Sequence, residues 1–301
     1  IMNILKTPLR YPGGKSRAVN KIRNFFPDLT LCKEYREPFL GGGSVALYVT
    51  TTFPNIKVWV NDLYEPLVNF WQTLQTQGDE IATRLSDTKT KYPSSKSLFQ
   101  DSKDVIQDRG SSNLERAVAF YIVNKCSFSG LTECSSFSRS ASIQNFTVRG
   151  IGKLPQYSKL IRNWYITNLE YQDLMTDTMQ AFIYLDPPYE IGTNLYGKKG
   201  EMHKYFDHDA FAKDCDKRTS KILVSYNNSQ LIKDRFSNWC ASEYSHTYTM
   251  RSVGDYMKNQ TKRKELLLFN YNKEATPKAK IQFSFDGCYN YGKLNQAGLV
   301  T

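Results

Sequence analysis

Histidine and paired cysteine are what this chain has least of. It holds three histidines, and its six cysteines (32, 126, 134, 215, 240 and 288) form no CxxC pair. A zinc site or a disulfide framework is therefore not expected, and reduced thiols in a cytoplasmic setting are the default. No apolar run approaches the length of a membrane span, and the N-terminal segment has no signal-peptide core. The phosphate-cradling pattern GxxxxGK[ST] is absent, which disfavours a nucleoside triphosphate. The full dinucleotide pattern GxGxxG is absent too, because Val45 and Ala46 stand where its last glycine would fall.

What is present is a core and a directed charge. Hydrophobic residues make up 40% of the chain, enough to bury a large domain, and the formal net charge is +11. That charge sits in two places. Residues 1–33 carry seven Lys/Arg against Asp28, and residues 121–165 carry six against Glu133, while the remainder is balanced. Two basic surfaces on an otherwise neutral protein suit a phosphate backbone, although solvated lysines account for part of them.

Strand and helix signals alternate along the first 75 residues. Strands are expected at Glu34–Phe39 and Lys57–Val60. Ser44 is expected to cap a helix, and an amphipathic helix should run through Leu67, Phe70, Trp71 and Leu74. A polar stretch follows, then a helix over Asn113–Val123. Alternation around Phe137 and Ile143–Val148 suggests a β-hairpin or long exposed loop. The α/β rhythm resumes with strands at Trp164–Leu169, Ala181–Leu185, Lys221–Ser225, Tyr244–Met250 and Lys264–Tyr271. The expected architecture is an α/β sheet interrupted by a basic insert. Its parts are residues 1–75 and 155–274 for the sheet domain, 76–154 for the insert, and 275–301 for a tail.

Three segments carry chemistry. Ala181–Leu185 is a short apolar run stopped by Asp186-Pro187-Pro188-Tyr189. The prolines cannot extend a sheet, so the chain must leave the strand as a stiff loop. At its tip sit a carboxylate, the Pro187 carbonyl and a phenol ring, at the strand end where open α/β sheets bind ligands. An amine could meet Asp186 and the Pro187 carbonyl as an acceptor fork, with Tyr189 as a stacking face; a plain surface loop is the alternative. Phe39-Leu40-Gly41-Gly42-Gly43 joins a strand to a helix, and Asp62 follows Gly41 by 21 residues at the end of the next strand. A carboxylate there suits ribose hydroxyls, with glycine used for tight packing as the alternative. Arg10-Tyr11-Pro12-Gly13-Gly14-Lys15 is a second rigid turn, flanked by a ring and a cation.

Together RYPGGK at 10–15, FLGGG at 39–43, NDLYEPLVNFW at 61–71, LDPPY at 185–189 and RKELLLFNY at 263–271 resemble the Dam-like, alpha-group DNA adenine-N6 methyltransferases. The resemblance implies a Rossmann-like methyltransferase sheet with a mainly helical target-recognition insert. It implies S-adenosylmethionine as cofactor, duplex DNA as substrate, no metal, and methyl transfer to N6 of a flipped-out adenine. By position it assigns Tyr11, Lys15, Phe39, Gly41, Gly43, Asp62 and Asp186 to the cofactor, and Asp186, Pro187 and Tyr189 to catalysis. Lys125, Arg139, Arg149 and Lys153 become candidates for contacts with DNA. Tyr11 stands where many relatives have tryptophan. The FNxPxG-like segment of some relatives is QNFTVRGIG at 144–152 here, and NKCSFSGLT at 124–132 looks like another branch, so GATC recognition is not implied. A cytosine-N4 or RNA amino methyltransferase, or a non-catalytic nucleic-acid-binding relic, remain the other readings.

Overall fold

The computed structural model describes residues 5–130, 135–189, 206–246 and 263–272. The expected tail at 275–301 and the end of the expected strand Tyr244–Met250 lie outside them. The strands are β1 (Glu34–Glu37), β2 (Lys57–Asn61), β3 (Tyr165–Thr167), β4 (Ala181–Leu185), β5 (Lys221–Asn227), β6 (Cys240–His246) and β7 (Arg263–Phe269). They form one sheet in the order β3-β2-β1-β4-β5-β7-β6. The first five in that order are parallel, and β7 runs antiparallel between β5 and β6. This is the expected Rossmann-like layout. From β1 the chain builds outward through β2 to β3, then returns to place β4 on the other side of β1. The crevice between β1 and β4 is thus a topological switch point, where such sheets hold ligands.

The helices are α1 (Val19–Ile22), α2 (Ser44–Thr52), α3 (Glu65–Lys91), α4 (Lys96–Gln107), α5 (Asn113–Cys126), α6 (Arg139–Asn145), α7 (Val148–Ile151), α8 (Leu154–Ile161), α9 (His208–Asp216) and α10 (Gln230–Arg235). Every residue of β4 is buried, because both sheet faces are covered. Phe182 and Tyr184 join a core shared with α2, α3, α5 and α8. Ile183 and Leu185 face the opposite core, against Phe211 and Cys215 of α9 and Ile232 of α10. A strand buried on both sides has no polar alternation, which is why its sequence reads as a continuous apolar run.

The insert shares the first of these cores. Residues 75 and 76, the expected boundary, fall within α3 beside a kink at Gln77 (φ −131°, ψ 37°). Two sequence expectations are corrected. Ile143 and Val148 lie in α6 and α7 rather than in a hairpin. Both side chains are exposed, so their spacing marks no buried sheet face. The helices start there because Ser138 accepts from the Ala141 N–H and Thr147 from the Gly150 N–H. The Phe137 part of that expectation is met, by an antiparallel bridge between Ser127 and Phe137. The second correction is at α2, whose N-cap is Gly43 at φ 65°, with Ser44 already inside the helix.

Candidate active site

The loop after β4 brings its carboxylate to the N-terminal glycine turn. Asp186 Oδ1 lies 2.9 Å from Lys15 Nζ, and Lys15 is 4% exposed. Lys15 Nζ also donates to the Gly13 carbonyl at 2.8 Å and sits 4.9 Å from the Tyr189 ring centroid. Burial pushes the Asp186 carboxyl up to about 6, against the opposing pull of the Lys15 ammonium. Burial likewise disfavours the charge on Lys15. The Asp186 carboxylate, together with Tyr189, Glu265 and Tyr184, outweighs that burial and holds the ammonium well above the ordinary lysine range. The pair is therefore ionised at neutral pH. Tyr189 stacks on Tyr226 with centroids 5.9 Å apart, which braces the ring at the loop tip. Pro187 is buried.

The two glycine turns meet each other. Gly41 and Gly43 adopt φ of 48° and 65°, a backbone that favours glycine. A Cβ on Gly41 would lie 2.8 Å from Tyr11 Cε1, and one on Gly43 would lie 3.0 Å from Trp71 Cζ2. The close approach that these glycines permit is thus made by the chain's own Tyr11 and Trp71 rings. Phe39 packs on the other side of the sheet, stacked on Tyr171 at 5.5 Å.

Asp62 is 7% exposed. Its Oδ2 accepts from the Gly41 N–H at 2.8 Å and its Oδ1 from the Tyr64 N–H at 3.0 Å. Burial pushes its carboxyl up to about 6 while those N–H groups oppose the shift. With the Leu63 N–H also bonded to this carboxylate, one lone pair remains for a ligand hydroxyl. A third carboxyl, absent from the sequence reading, completes the row. Glu37 ends β1, is buried, and accepts from the Tyr35 hydroxyl at 2.6 Å. Burial drives it up to about 8. Its signal was available, since Glu37-Pro38 repeats the acid-proline stop of Asp186-Pro187. Glu37, Asp62 and Asp186 thus stand at the ends of three neighbouring strands, β1, β2 and β4. Of the three, Asp62 and Asp186 are ionised at neutral pH and Glu37 is largely protonated, a set that suits a ligand carrying hydroxyls.

The insert cations divide into two groups. Arg139 and Arg149 are exposed, and Lys153 is partly so. Lys125 is only partly exposed, 5.2 Å from the Tyr121 ring. Burial, with the Arg10 guanidinium nearby, pushes its ammonium down to about 8. Among the described residues no group of three or more His, Cys, Asp and Glu side chains is placed to hold a metal ion. Among them, too, no helix is long and apolar enough to cross a membrane.

Comparison with known proteins agrees with this geometry. The chain is 25% identical over 244 residues to the type II methyltransferase M.MjaIII of Methanocaldococcus jannaschii, an alignment covering 73% of this chain and 84% of that protein. It is also 25% identical over 207 residues to modification methylase StsI of Streptococcus sanguinis, covering 65% of this chain but 31% of that longer protein. Residues 11–253, which include both glycine turns, the insert and the Asp186 loop, match the D12 class N6 adenine-specific DNA methyltransferases, and the chain belongs to that family.

Proposed function

We propose that this adenine-specific DNA methyltransferase takes its methyl group from S-adenosylmethionine and delivers it to N6 of an adenine flipped out of the duplex at a specific site. The observation that carries the reading is the Lys15–Asp186 pair at the end of the central strand. The cofactor supplies an activated methyl group on a sulfonium centre, and the residues present fit it. Asp62, ionised at neutral pH, has a lone pair to spare for a ribose hydroxyl.

The chain's own part is to make a poor nucleophile usable. The N6 lone pair of adenine is delocalised into the ring. Asp186 and the Pro187 carbonyl accept hydrogen bonds from the two amino N–H groups, which draws the nitrogen toward tetrahedral geometry and aims its lone pair. Once the methyl is bonded to N6, the surplus proton on the cationic nitrogen is acidic and is lost to solvent. Lys15 holds Asp186 Oδ1, fixes the carboxylate's orientation and, with a hydrogen bond from the Tyr189 hydroxyl, favours its ionised form. Asp186 is thus an orienting acceptor, and the gain is one of positioning and electrostatic fit. Extruding the base costs a few kcal/mol. Stacking on Tyr189, braced by Tyr226, returns roughly 1–3 kcal/mol.

Grip on DNA falls to the insert, residues 76–154. Arg139 and Arg149 reach solvent and suit phosphate or base edges, whereas half-buried Lys125 serves less well. The test is product analysis. Unmethylated plasmid DNA is incubated with the protein and labelled S-adenosylmethionine, then digested to nucleosides. N6-methyladenosine carrying the label supports the reading; label in N4-methylcytosine, or none in DNA, overturns it.

A further inference from the structure

The first glycine turn, which holds Lys15, is fastened to the insert through one side chain. Asn124, near the end of α5, is fully buried. Its Oδ1 accepts from the Arg10 N–H at 2.9 Å, and its Nδ2 donates to the Arg10 carbonyl at 2.6 Å and the Gly130 carbonyl at 3.0 Å. One amide therefore satisfies both backbone groups of Arg10, as a neighbouring strand would. The Arg10 guanidinium then reaches back to the Ser127 carbonyl at 2.7 Å. Gly130 sits at φ 75°, and a Cβ there would lie 2.5 Å from the Arg10 carbonyl oxygen, so the fit tolerates no side chain.

Both ends of this fastening lead to working parts. On one side, Arg10 precedes Tyr11, whose ring covers Gly41, and the tight turn closed by Gly14 N–H to the Tyr11 carbonyl (3.0 Å) delivers Lys15 to Asp186. On the other side, residues 126–128 pair with 136–138. Phe128 N–H donates to the Ser136 carbonyl and Ser138 N–H to the Cys126 carbonyl, both at 2.9 Å. Ser138 then caps α6, which opens with Arg139. A short, fully hydrogen-bonded path joins the insert's exposed cation to the catalytic ion pair.

We propose that Asn124 is a positioning residue that couples the seating of the insert on DNA to the placement of Lys15 and Asp186. It acts on the methyl-transfer step rather than on affinity for either ligand. This rests on the assignment of Lys15 and Asp186 made above. Nothing about the clamp touches substrate. Its effect arises because the backbone of residues 10–15 cannot shift against α5 while the amide holds it.

The experiment compares wild type with Asn124→Asp, which keeps the acceptor and loses both donated bonds, and with Asn124→Ala, which loses all three. Single-turnover methylation of unmethylated plasmid DNA is measured with enzyme in excess, beside S-adenosylmethionine affinity and duplex affinity. The expected result is a methyl-transfer rate at least tenfold lower in both variants, with both affinities within threefold of wild type. A normal rate in a folded variant overturns the proposal. A matching fall in cofactor affinity also overturns it, because that marks a merely structural role. Should both variants fail to fold, Arg10→Gln removes only the guanidinium strap and leaves the buried amide in place. A slower transfer step at unchanged affinity supports the coupling, and a loss confined to duplex affinity overturns it. Wild type inactive on DNA would instead refute the functional assignment itself, so the two failures are distinguishable.

Discussion

Helices begin in two different ways in this molecule. In the insert, α4, α5, α6 and α7 are each capped by the residue immediately before them: Ser95, Ser112, Ser138 and Thr147. At α5 the cap is reciprocal, with Glu115 returning a bond to the Ser112 backbone. At α2, beside the strand-end carboxyls, Gly43 supplies no side-chain cap. There the Ala46 N–H donates instead to Glu37, a carboxyl from β1. Asp62 does the same for Gly41 and Tyr64. The insert settles these helix N-termini locally and can act as a firm platform. The site settles them through buried carboxyls from distant strands, whose raised pKa values leave them poised for a charged ligand.

If that contrast is right, damage to the site should cost chemistry and damage to the insert's caps should cost only stability. The largest effect belongs to Asp186→Ala. Removing the acceptor should lower single-turnover methylation by roughly three orders of magnitude or more, the scale of losing a preorganised electrostatic contact. Cofactor affinity should change little, whereas thermal stability should also fall, because the buried Lys15 ammonium loses its carboxylate partner. Next comes Asp62→Ala, expected to weaken S-adenosylmethionine binding by about 1.5–3 kcal/mol in calorimetry, the range for hydrogen bonds to a charged group. Unchanged affinity would remove Asp62 from the cofactor site.

Glu37 gives a smaller, pH-dependent effect. Its carboxyl is raised to about 8 in the folded chain from an ordinary 4.5. A raised carboxyl contributes stability that is fully present below the unfolded value and is lost as pH rises through the folded one. Melting temperature should therefore sag between about pH 5 and 8 in wild type, and Glu37→Gln should flatten that sag; parallel curves would show that Glu37 is not buried as described. The smallest effect is Ser112→Ala in the insert. Loss of the cap should cost about 1 kcal/mol, seen as a melting temperature lower by roughly 2–4 °C, with cofactor affinity untouched.

The same contrast explains what could be read from the sequence. Ala181–Leu185 was readable because burial on both faces leaves an unbroken apolar run and proline stops it. The family motifs likewise singled out Lys15, Asp62 and Asp186 as candidates. Their meeting was not readable, because Lys15 and Asp186 touch only once the sheet places the β4 end beside the first turn. Nor was the raised carboxyl of Glu37, since burial is a product of tertiary packing. The β-hairpin or exposed loop expected around Phe137 and Ile143–Val148 holds only at Phe137, which pairs with Ser127. At Ile143 and Val148 alternation of exposed side chains says nothing about a sheet, and the Ser138 and Thr147 caps carried the better signal. Ser44 was misread as a cap because Gly43, free to adopt a positive φ, takes that position.

The claim at the centre is that Asp186 orients the amine as an ionised acceptor held by Lys15, and does not act as the base that takes its proton. The most direct measurement is the pH–rate profile of single-turnover methylation, at saturating cofactor, for wild type and Asp186→Asn. Asparagine keeps an acceptor oxygen but cannot ionise. The account predicts that wild type loses rate about tenfold per pH unit below the Asp186 value of about 6. It predicts that Asp186→Asn is slower yet measurably active, well above Asp186→Ala, and lacks that acid limb. An asparagine variant as inactive as alanine, or one that keeps the same acid limb, would contradict it.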